Sequence, residues 1–173
     1  YNNMRKIQKS KITIITVVKN GMPYLEDAIK SFNSQNYKNK ELVVVYSKST
    51  DGTEKFLNKN KNKIDKLIID NKSSNKYESI NLGIKKATGN IIGVLHADDF
   101  FANQNILTKI AYVHQKEKNI DVTYGNVLFC KRNNIKKISR YWKSSDYKKN
   151  LIDKGWMPPH TTLFINKKNN LSN

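Results

Sequence analysis

Along the chain, short β-type apolar runs alternate with longer stretches of helical period, the pattern of α/β layering with a mainly parallel sheet. Ile12-Thr13-Ile14-Ile15-Thr16-Val17-Val18 is a β-branched run of strand length, closed by the turn signal Lys19-Asn20-Gly21. Pro23 then sits where a first helical turn tolerates it, and Leu25, Ala28, Ile29 and Phe32 recur at helical spacing. The unit repeats. Leu42-Val43-Val44-Val45-Tyr46 reads as a second buried strand, and Ser49-Thr50-Asp51-Gly52-Thr53-Glu54 offers N-cap oxygens before Phe56 and Leu57. Leu67-Ile68-Ile69 predicts a third strand, with a helix carrying Tyr77, Ile80, Ile84 and Ala87 after the polar loop from Asp70 to Asn75. Thr88-Gly89-Asn90 is a stop signal. The fourth strand, Ile91-Ile92-Gly93-Val94-Leu95, runs directly into His96-Ala97-Asp98-Asp99. A further helix is marked by Ile106, Leu107, Ile110 and Val113, and strands by Val122-Thr123-Tyr124 and Val127-Leu128-Phe129. From Lys131 to Lys154 the pattern thins into basic and polar sequence with no predicted element.

Composition narrows the class. A chain of 173 residues with 38% apolar content suits one globular domain, with no internal repeat beyond the βα alternation. The single cysteine, Cys130, excludes an internal disulfide framework and a Cys-rich zinc site, and reads as a buried spectator thiol of a reducing, cytoplasmic environment. No apolar run approaches the roughly 18 residues of a membrane-spanning helix. The chain opens at Tyr1 and closes on a polar stretch from Lys167 to Asn170, which reads as a cut from something longer. Lys and Arg total 32 against 14 Asp and Glu, a net charge of +18 that favours an anionic partner. The cations are scattered and nearly all lysine, which a compositional bias of the coding DNA also produces.

In open α/β sheets, ligands bind at the carboxyl ends of the strands, so the polar residues after Val18, Val45, Ile69 and Leu95 are expected to meet in one crevice. The sequence holds no G-x-G-x-x-G and no G-x-x-x-x-G-K-[ST], hence neither glycine cradle for phosphates. Asp98 and Asp99, adjacent at the end of a buried strand, have the chemistry to hold a hard divalent cation that bridges to a diphosphate. A helix N-cap or an Asx turn before Asn105 uses the same residue types.

The order of elements, Ser49 to Thr53 after the second strand, Ser79-Ile80-Asn81-Leu82-Gly83-Ile84, the run from Ala87 to Asp99 and Pro158-Pro159-His160-Thr161 together resemble family 2 glycosyltransferases of the GT-A fold, in their bacterial polysaccharide-synthesis branch. The resemblance covers Lys11 to Ile165. It implies a three-layer α/β/α domain over residues 1–173, with a nucleotide-sugar-binding core at 11–130 and a partial acceptor-side region at 131–173. It also implies a nucleotide-diphosphate sugar donor, Mg²⁺ or Mn²⁺ on the acidic motif, and attack by an acceptor hydroxyl, with inversion, from a saccharide or lipid-linked acceptor. On the same basis Asp98 is the principal metal ligand with Asp99 beside it, and Thr16, Val18 and Asn20 lie where relatives touch base and ribose.

The departures carry information too. Where relatives place a base-binding Asp, this chain has Tyr46, followed by Ser47; tyrosine stacks on a base but does not accept two hydrogen bonds as a carboxylate does. His96 stands at the first position of an Asp-x-Asp motif, as a ribose or indirect metal contact or as a direct ligand. Glu78 stands where relatives carry Asp, either retaining an acidic function or lying on a solvated helix face. His160 is expected at the pyrophosphate or acceptor side, or as a structural residue of a proline turn. The general base of the relatives falls beyond the Pro-His segment, and from His160 to Asn173 there is no carboxylate, which puts that group beyond Asn173. A catalytically inactive nucleotide-sugar-binding module and a basic nucleic-acid-binding protein are the alternatives; the acidic pair and the scattered lysines argue against the second, so no nucleic acid partner is expected. A functional basic surface would meet the inner, anionic face of the cell membrane.

Overall fold

Burial sorts the β-branched runs as the sequence suggests. In the computed structural model, which describes residues 10–117 and 119–167, β1 (Ile12–Val18) and β2 (Lys40–Tyr46) form the buried centre of a six-stranded sheet. They pair in parallel, and β1 also pairs in parallel with β4 (Ile91–Val94), β2 with β3 (Lys66–Ile69). Side chains alternate across the sheet. Ile12, Ile14 and Val18 join Leu42 and Val44 on one face, and Ile15 joins Val43 and Val45 on the other.

The first face is covered by α1 (Leu25–Asn33), α2 (Thr53–Lys59) and α4 (Ile106–Lys116), through Leu25, Ala28, Ile29, Phe32, Leu57, Leu107 and Ala111. The second face is covered by α3 (Lys76–Lys86) and the residues around it, through Leu82, Ile84 and Ala87. Gly83 makes this contact close, since a Cβ there would sit 2.6 Å from Ile15 Cγ2. The result is a three-layer α/β/α arrangement in which the four expected strands run parallel and end on the same edge.

Three features depart from the sequence pattern. β8 (Phe164–Asn166) lies between β4 and β5 (Val122–Thr123) and pairs antiparallel with both, so a short segment late in the chain completes the central sheet. Its place depends on Gly93, where a Cβ would come within 2.7 Å of the Phe164 ring. Secondly, the basic stretch after Lys131 holds β7 (Asn134–Trp142), which pairs antiparallel with β6 (Val127–Lys131) as a separate two-stranded ribbon. Nothing in its composition signals core, because all of Asn134 to Tyr141 is solvent-exposed. Cys130, expected to be buried, is a half-buried free thiol on this ribbon, which has no second layer to cover it. Thirdly, α1 begins at Leu25, so Pro23 precedes the helix rather than occupying its first turn.

Candidate active site

The register sets the floor of the crevice. Val18 is opposite Tyr46 and Tyr46 opposite Ile69, so the ends of β1, β2 and β3 are level. β4 is shorter: Ile15 pairs with Val94, and Leu95 N donates to Ile15 O at 3.0 Å. The chain leaving β4 therefore turns beside the last residues of β1. The approach is close, because a Cβ on Gly21 would lie 3.5 Å from the Ala97 Cβ.

The loop after β1 is tied to the loop after β2 rather than left free. Asn20, in the left-handed region at φ 54°, accepts a hydrogen bond from Thr50 N at 2.8 Å through Oδ1, while its own N–H donates to Ser49 Oγ at 3.1 Å. Asn is among the residues that tolerate this conformation because its short side chain bonds locally. Gly21 N donates to Thr53 Oγ1 at 2.9 Å and Met22 N to Asp51 Oδ2 at 2.8 Å. The Ser49 to Thr53 segment thus does more than start a helix. Its N-cap residue, Gly52, makes no side-chain cap bond, and Asp51 instead clamps Met22 and Thr53.

At the end of β4 stand His96, Asp98 and Asp99, with Asp98 exposed and Asp99 half-buried. Asp99 N donates to His96 O at 3.1 Å, which tightens the turn. Neither carboxylate has a hydrogen-bond or ion-pair partner among the described residues. Burial, and then the Asp98 charge, push the Asp99 carboxyl above its ordinary value, against the opposing pull of His96 and His160. His160 arrives from the far side, on a 3-10 turn at His160–Thr162, with its ring centroid 6.2 Å from that of His96. Thr162 Oγ1 fixes that turn by donating to Pro159 O and accepting from Gly125 N. The fold therefore brings residues 64 positions apart in sequence, His96 and His160, to one acidic pair.

Not every sequence-predicted residue reaches this crevice with its side chain. Thr16 and Val18 are buried at 1% and 3% exposure, so their side chains pack inside the sheet, and the Val18 carbonyl accepts from Ser47 N at 3.1 Å. Buried β-branched residues offer a ligand at most their backbone edges. Tyr46 is half-buried with its body against the core, and Ser47 follows it at the rim. Glu78 is engaged as a helix cap: its carboxylate accepts from Ser74 N, Ser74 Oγ and Asn75 Nδ2, while Asn75 Oδ1 accepts from Tyr77 N and Glu78 N. This resembles a capping box, but Glu78 reaches the N–H of Ser74, one residue before the N-cap Asn75, rather than that of the cap itself. The bonds from Ser74 hold Glu78 below its usual value. The general base expected beyond Asn173 lies outside the described residues.

Asp70, at the end of β3, opens the polar loop that the sequence placed after the third strand, where no individual role was assigned to it. Only 5% exposed, it accepts from Lys72 N, Ser73 N and Ser79 Oγ, and these bonds, led by those from Ser73 and Ser79, hold it well below the usual carboxylate range. It pins the β3 to α3 loop and the first turn of α3 together. A polar residue directly after a strand was the available signal.

No group of three or more His, Cys, Asp or Glu side chains is gathered into a metal cage among the described residues. A cage is not what Mg²⁺ requires: it is held by one or two carboxylates together with waters and substrate phosphates. An unpartnered, half-desolvated pair of carboxylates at a strand end fits that donor set.

This arrangement, a parallel α/β sheet with an acidic pair after its fourth strand, is that of a GT-A nucleotide-sugar enzyme fold. Residues 13–171 match the family described as Glycosyl transferase family 2, and the chain belongs to that family. It is 33% identical over 121 residues to a glycosyltransferase of Haemophilus influenzae, covering 69% of this chain and 48% of that protein. It is 26% identical over 130 residues to the GalNAc(5)-diNAcBac-PP-undecaprenol beta-1,3-glucosyltransferase of Campylobacter jejuni, covering 73% of this chain and 41% of that protein. The chain thus spans about half or less of the length of these relatives. Among solved structures, Staphylococcus aureus TarS in complex with UDP aligns over 65% of this chain and 34% of that one, at 26% identity and a TM-score of 0.59. The mannosyltransferase PcManGT of Pyrobaculum calidifontis, in complex with GDP-Man and Mn²⁺, aligns over 97% of this chain and 51% of that one at TM-score 0.65 and 16% identity, a likeness of fold.

Proposed function

We propose that this chain carries the donor site of an inverting glycosyltransferase, which moves a hexose or related sugar from a nucleotide diphosphate to an acceptor hydroxyl. The observation that carries the reading is the unpartnered Asp98 and Asp99 pair, set against the braced loop after β1 and faced by His160. TarS is described in complex with UDP and with UDP-GlcNAc, which supports a uridine nucleotide as the first donor to test. The 1–173 chain is read as one domain, with residues 11–130 supplying the donor half and residues 131–173 the acceptor side.

Asp98 and Asp99 would hold a Mg²⁺ or Mn²⁺ ion, which when bound neutralises the charge of the departing nucleoside diphosphate. The remaining work falls to the chain. Tyr46, at the end of β2, offers an aromatic face to the base. The Asn20, Ser49 and Asp51 bonds keep the floor rigid, so that a bound nucleotide loses its freedom without the protein having to order a loop. His96 and His160 offer ring N–H groups where negative charge builds on the leaving group, and donors fixed before the reaction are effective at that task.

The Campylobacter relative is named for a polyprenyl-diphosphate-linked substrate, which supports a lipid-linked saccharide acceptor here as well. Among the described residues no helix is long and apolar enough to cross a membrane. The +18 charge supports peripheral contact with an anionic membrane at its cytoplasmic face. A thermal-shift screen of UDP, GDP, CDP and dTDP, each with Mn²⁺ and with chelator, tests the donor reading. A Mn²⁺-dependent rise in Tm with one base is expected, since a ligand that binds only the folded state stabilises it. No rise with any of the four removes it.

A further inference from the structure

The β6 to β7 ribbon is fixed at both ends to segments that border the acidic pair. At its base, Gly125 N donates to Thr162 Oγ1 at 3.0 Å, which joins the ribbon to the turn that presents His160 to His96. Asn126 Oδ1 accepts from Ser144 N and Ser144 Oγ, both at 2.9 Å, and Asn126 Nδ2 donates to Tyr141 OH at 2.7 Å, so the two strands are clasped where they leave the fold. The tip is the turn Arg132-Asn133. There the Arg132 guanidinium lies over the Tyr24 ring, 5.1 Å from its centroid. Tyr24 is the N-cap residue of α1 and follows the braced loop from Asn20 to Met22.

Topology decides what lies between these anchors. β5 is antiparallel to β8 and β8 to β4, so β5 runs parallel to β4 and ends at the same edge of the sheet. The strand order on that side is β1-β4-β8-β5. A ribbon that is rooted after β5 and touches a residue beyond β1 therefore passes the end of β4, where Asp98 and Asp99 follow. Its reach suffices: the strand spacings from β5 to β1 sum to roughly 14 Å, and the length of β6 extends roughly 17 Å. Between the anchors, among the described residues, the ribbon has no strand pairing with the sheet, and all of Lys131 to Tyr141 is exposed.

An exposed cation–π contact favours a latched form over an unlatched one by only about two- to fivefold. The contact at the tip is therefore easily reversed. From Val127 to Lys143 the charged residues of the ribbon are all cations, so an anionic ligand beside it shifts the population toward the latched form. We propose that the ribbon is a strap across the donor crevice, latched by Arg132 on Tyr24, and that its closure retains the nucleoside diphosphate. Arg132 is thus a positioning residue, which acts through Tyr24 and the ribbon rather than on the reacting atoms. What the strap retains rests on the donor reading; the latch itself does not.

The molecule supplies its own reporter. Cys130, the single cysteine of the chain, is half-buried on β6 close to Arg132, and its reaction with the uncharged reagent 4,4′-dithiodipyridine reads the ribbon without any ligand. Tyr24→Leu leaves the charge beside the thiol unchanged and is expected to speed that reaction about two- to fivefold. Tyr24→Phe, which keeps the ring, is expected to hold the original rate, with circular dichroism reporting the fold of each variant. In an Arg132→Gln background, Tyr24→Leu is expected to change nothing further, because the two residues act as one contact. Equal rates in the unaltered chain and Tyr24→Leu, or the same acceleration with Arg132 already replaced, overturn the latch. Stopped-flow displacement of a fluorescent UDP in Mn²⁺ then tests the strap. Departure about two- to fivefold faster from Tyr24→Leu and from Arg132→Gln, an exposed position, is expected. Departure at one rate from all three proteins overturns the strap. No UDP binding to any of them removes the donor reading instead, while the thiol rates still decide the latch.

Discussion

At the residue scale, the acidic pair sets function against stability, and the sign of the Asp99 shift makes the conflict measurable. Burial raises the carboxyl of Asp99 above its ordinary value, so the folded state binds its proton more tightly than the unfolded chain does. A raised carboxyl makes ionisation a cost to the folded state, and its contribution to stability improves as pH falls through the folded value. Asp99→Asn is therefore expected to raise Tm at neutral pH while weakening Mn²⁺-dependent UDP binding, read by thermal shift with and without nucleotide. A drop in Tm would show that the side chain has structural partners instead. Asp98 is exposed, so Asp98→Asn is expected to leave stability within about 0.5 kcal/mol. The same variant should lower metal-dependent UDP affinity more than tenfold, and isothermal titration separates the two effects. The pair alone was ambiguous in the sequence, since a helix N-cap or an Asx turn uses the same residue types, and it was the order of the surrounding motifs that singled it out. Glu78 was half legible: Asn75 and Glu78 have the spacing of a capping box, yet only the folded geometry shows the carboxylate committed to Ser74 and Asn75.

At the scale of the elements, the opposite end of the strands carries a buried electrostatic tie. Glu41, 2% exposed, accepts from Thr13 Oγ1, Thr88 N and Thr88 Oγ1, and pairs with Lys66 at 3.1 Å and Lys11 at 3.5 Å. One carboxylate thus joins β1, β2, β3 and the turn before β4. Burial alone would raise its pKa, but the bonds from Thr13, Thr88 and Lys66 together prevail and bring it down to about 2. A depressed carboxylate contributes stability that is present above its unfolded value near 4.5 and lost as pH falls toward about 2. Chemical denaturation across that window should show this loss, and Glu41→Gln should flatten the slope and cost about 2–4 kcal/mol at neutral pH. Strands β1 to β4 needed no more than apolar runs and turns to read, because β1, β2 and β4 are buried and largely β-branched and β3, though partly exposed, is still an apolar run. β8 was missed because three residues, Phe164 to Asn166, are too few to show a period. Its trace was Gly93, since a glycine inside a strand marks a close approach. Gly93→Ala, pressed into the Phe164 ring, should destabilise by about 1–3 kcal/mol in urea melts, whereas Phe164→Leu combined with it should recover part of that loss.

At the scale of the molecule, charge and shape separate. The parallel sheet and its helices supply the proposed donor crevice, but among the described residues the β6 to β7 ribbon makes no strand pairing with that sheet. Between Val127 and Lys143 it carries Lys131, Arg132, Lys136, Lys137, Arg140 and Lys143 and no acidic residue. Interleaved with these, Leu128, Phe129, Ile135, Ile138 and Tyr141 are 40–54% exposed. The sequence alone showed only thinning periodicity here, because a ribbon without a covering layer has no buried face to impose one. A basic patch near an anionic bilayer gains about 1 kcal/mol per Lys or Arg, a gain that salt screens, while exposed apolar side chains enter the interface. Cosedimentation with phosphatidylglycerol vesicles at low salt is therefore the expected behaviour, falling on addition of salt and absent with phosphatidylcholine alone. The triple variant Lys136→Glu, Lys137→Glu, Arg140→Glu alters only exposed positions, so its fold should be intact and its vesicle partitioning at least tenfold weaker. Equal partitioning by the variant would assign the attraction to the diffuse +18 charge rather than to the ribbon. Failure of both proteins to bind would remove the membrane from the account, leaving the crevice and its nucleotide untouched.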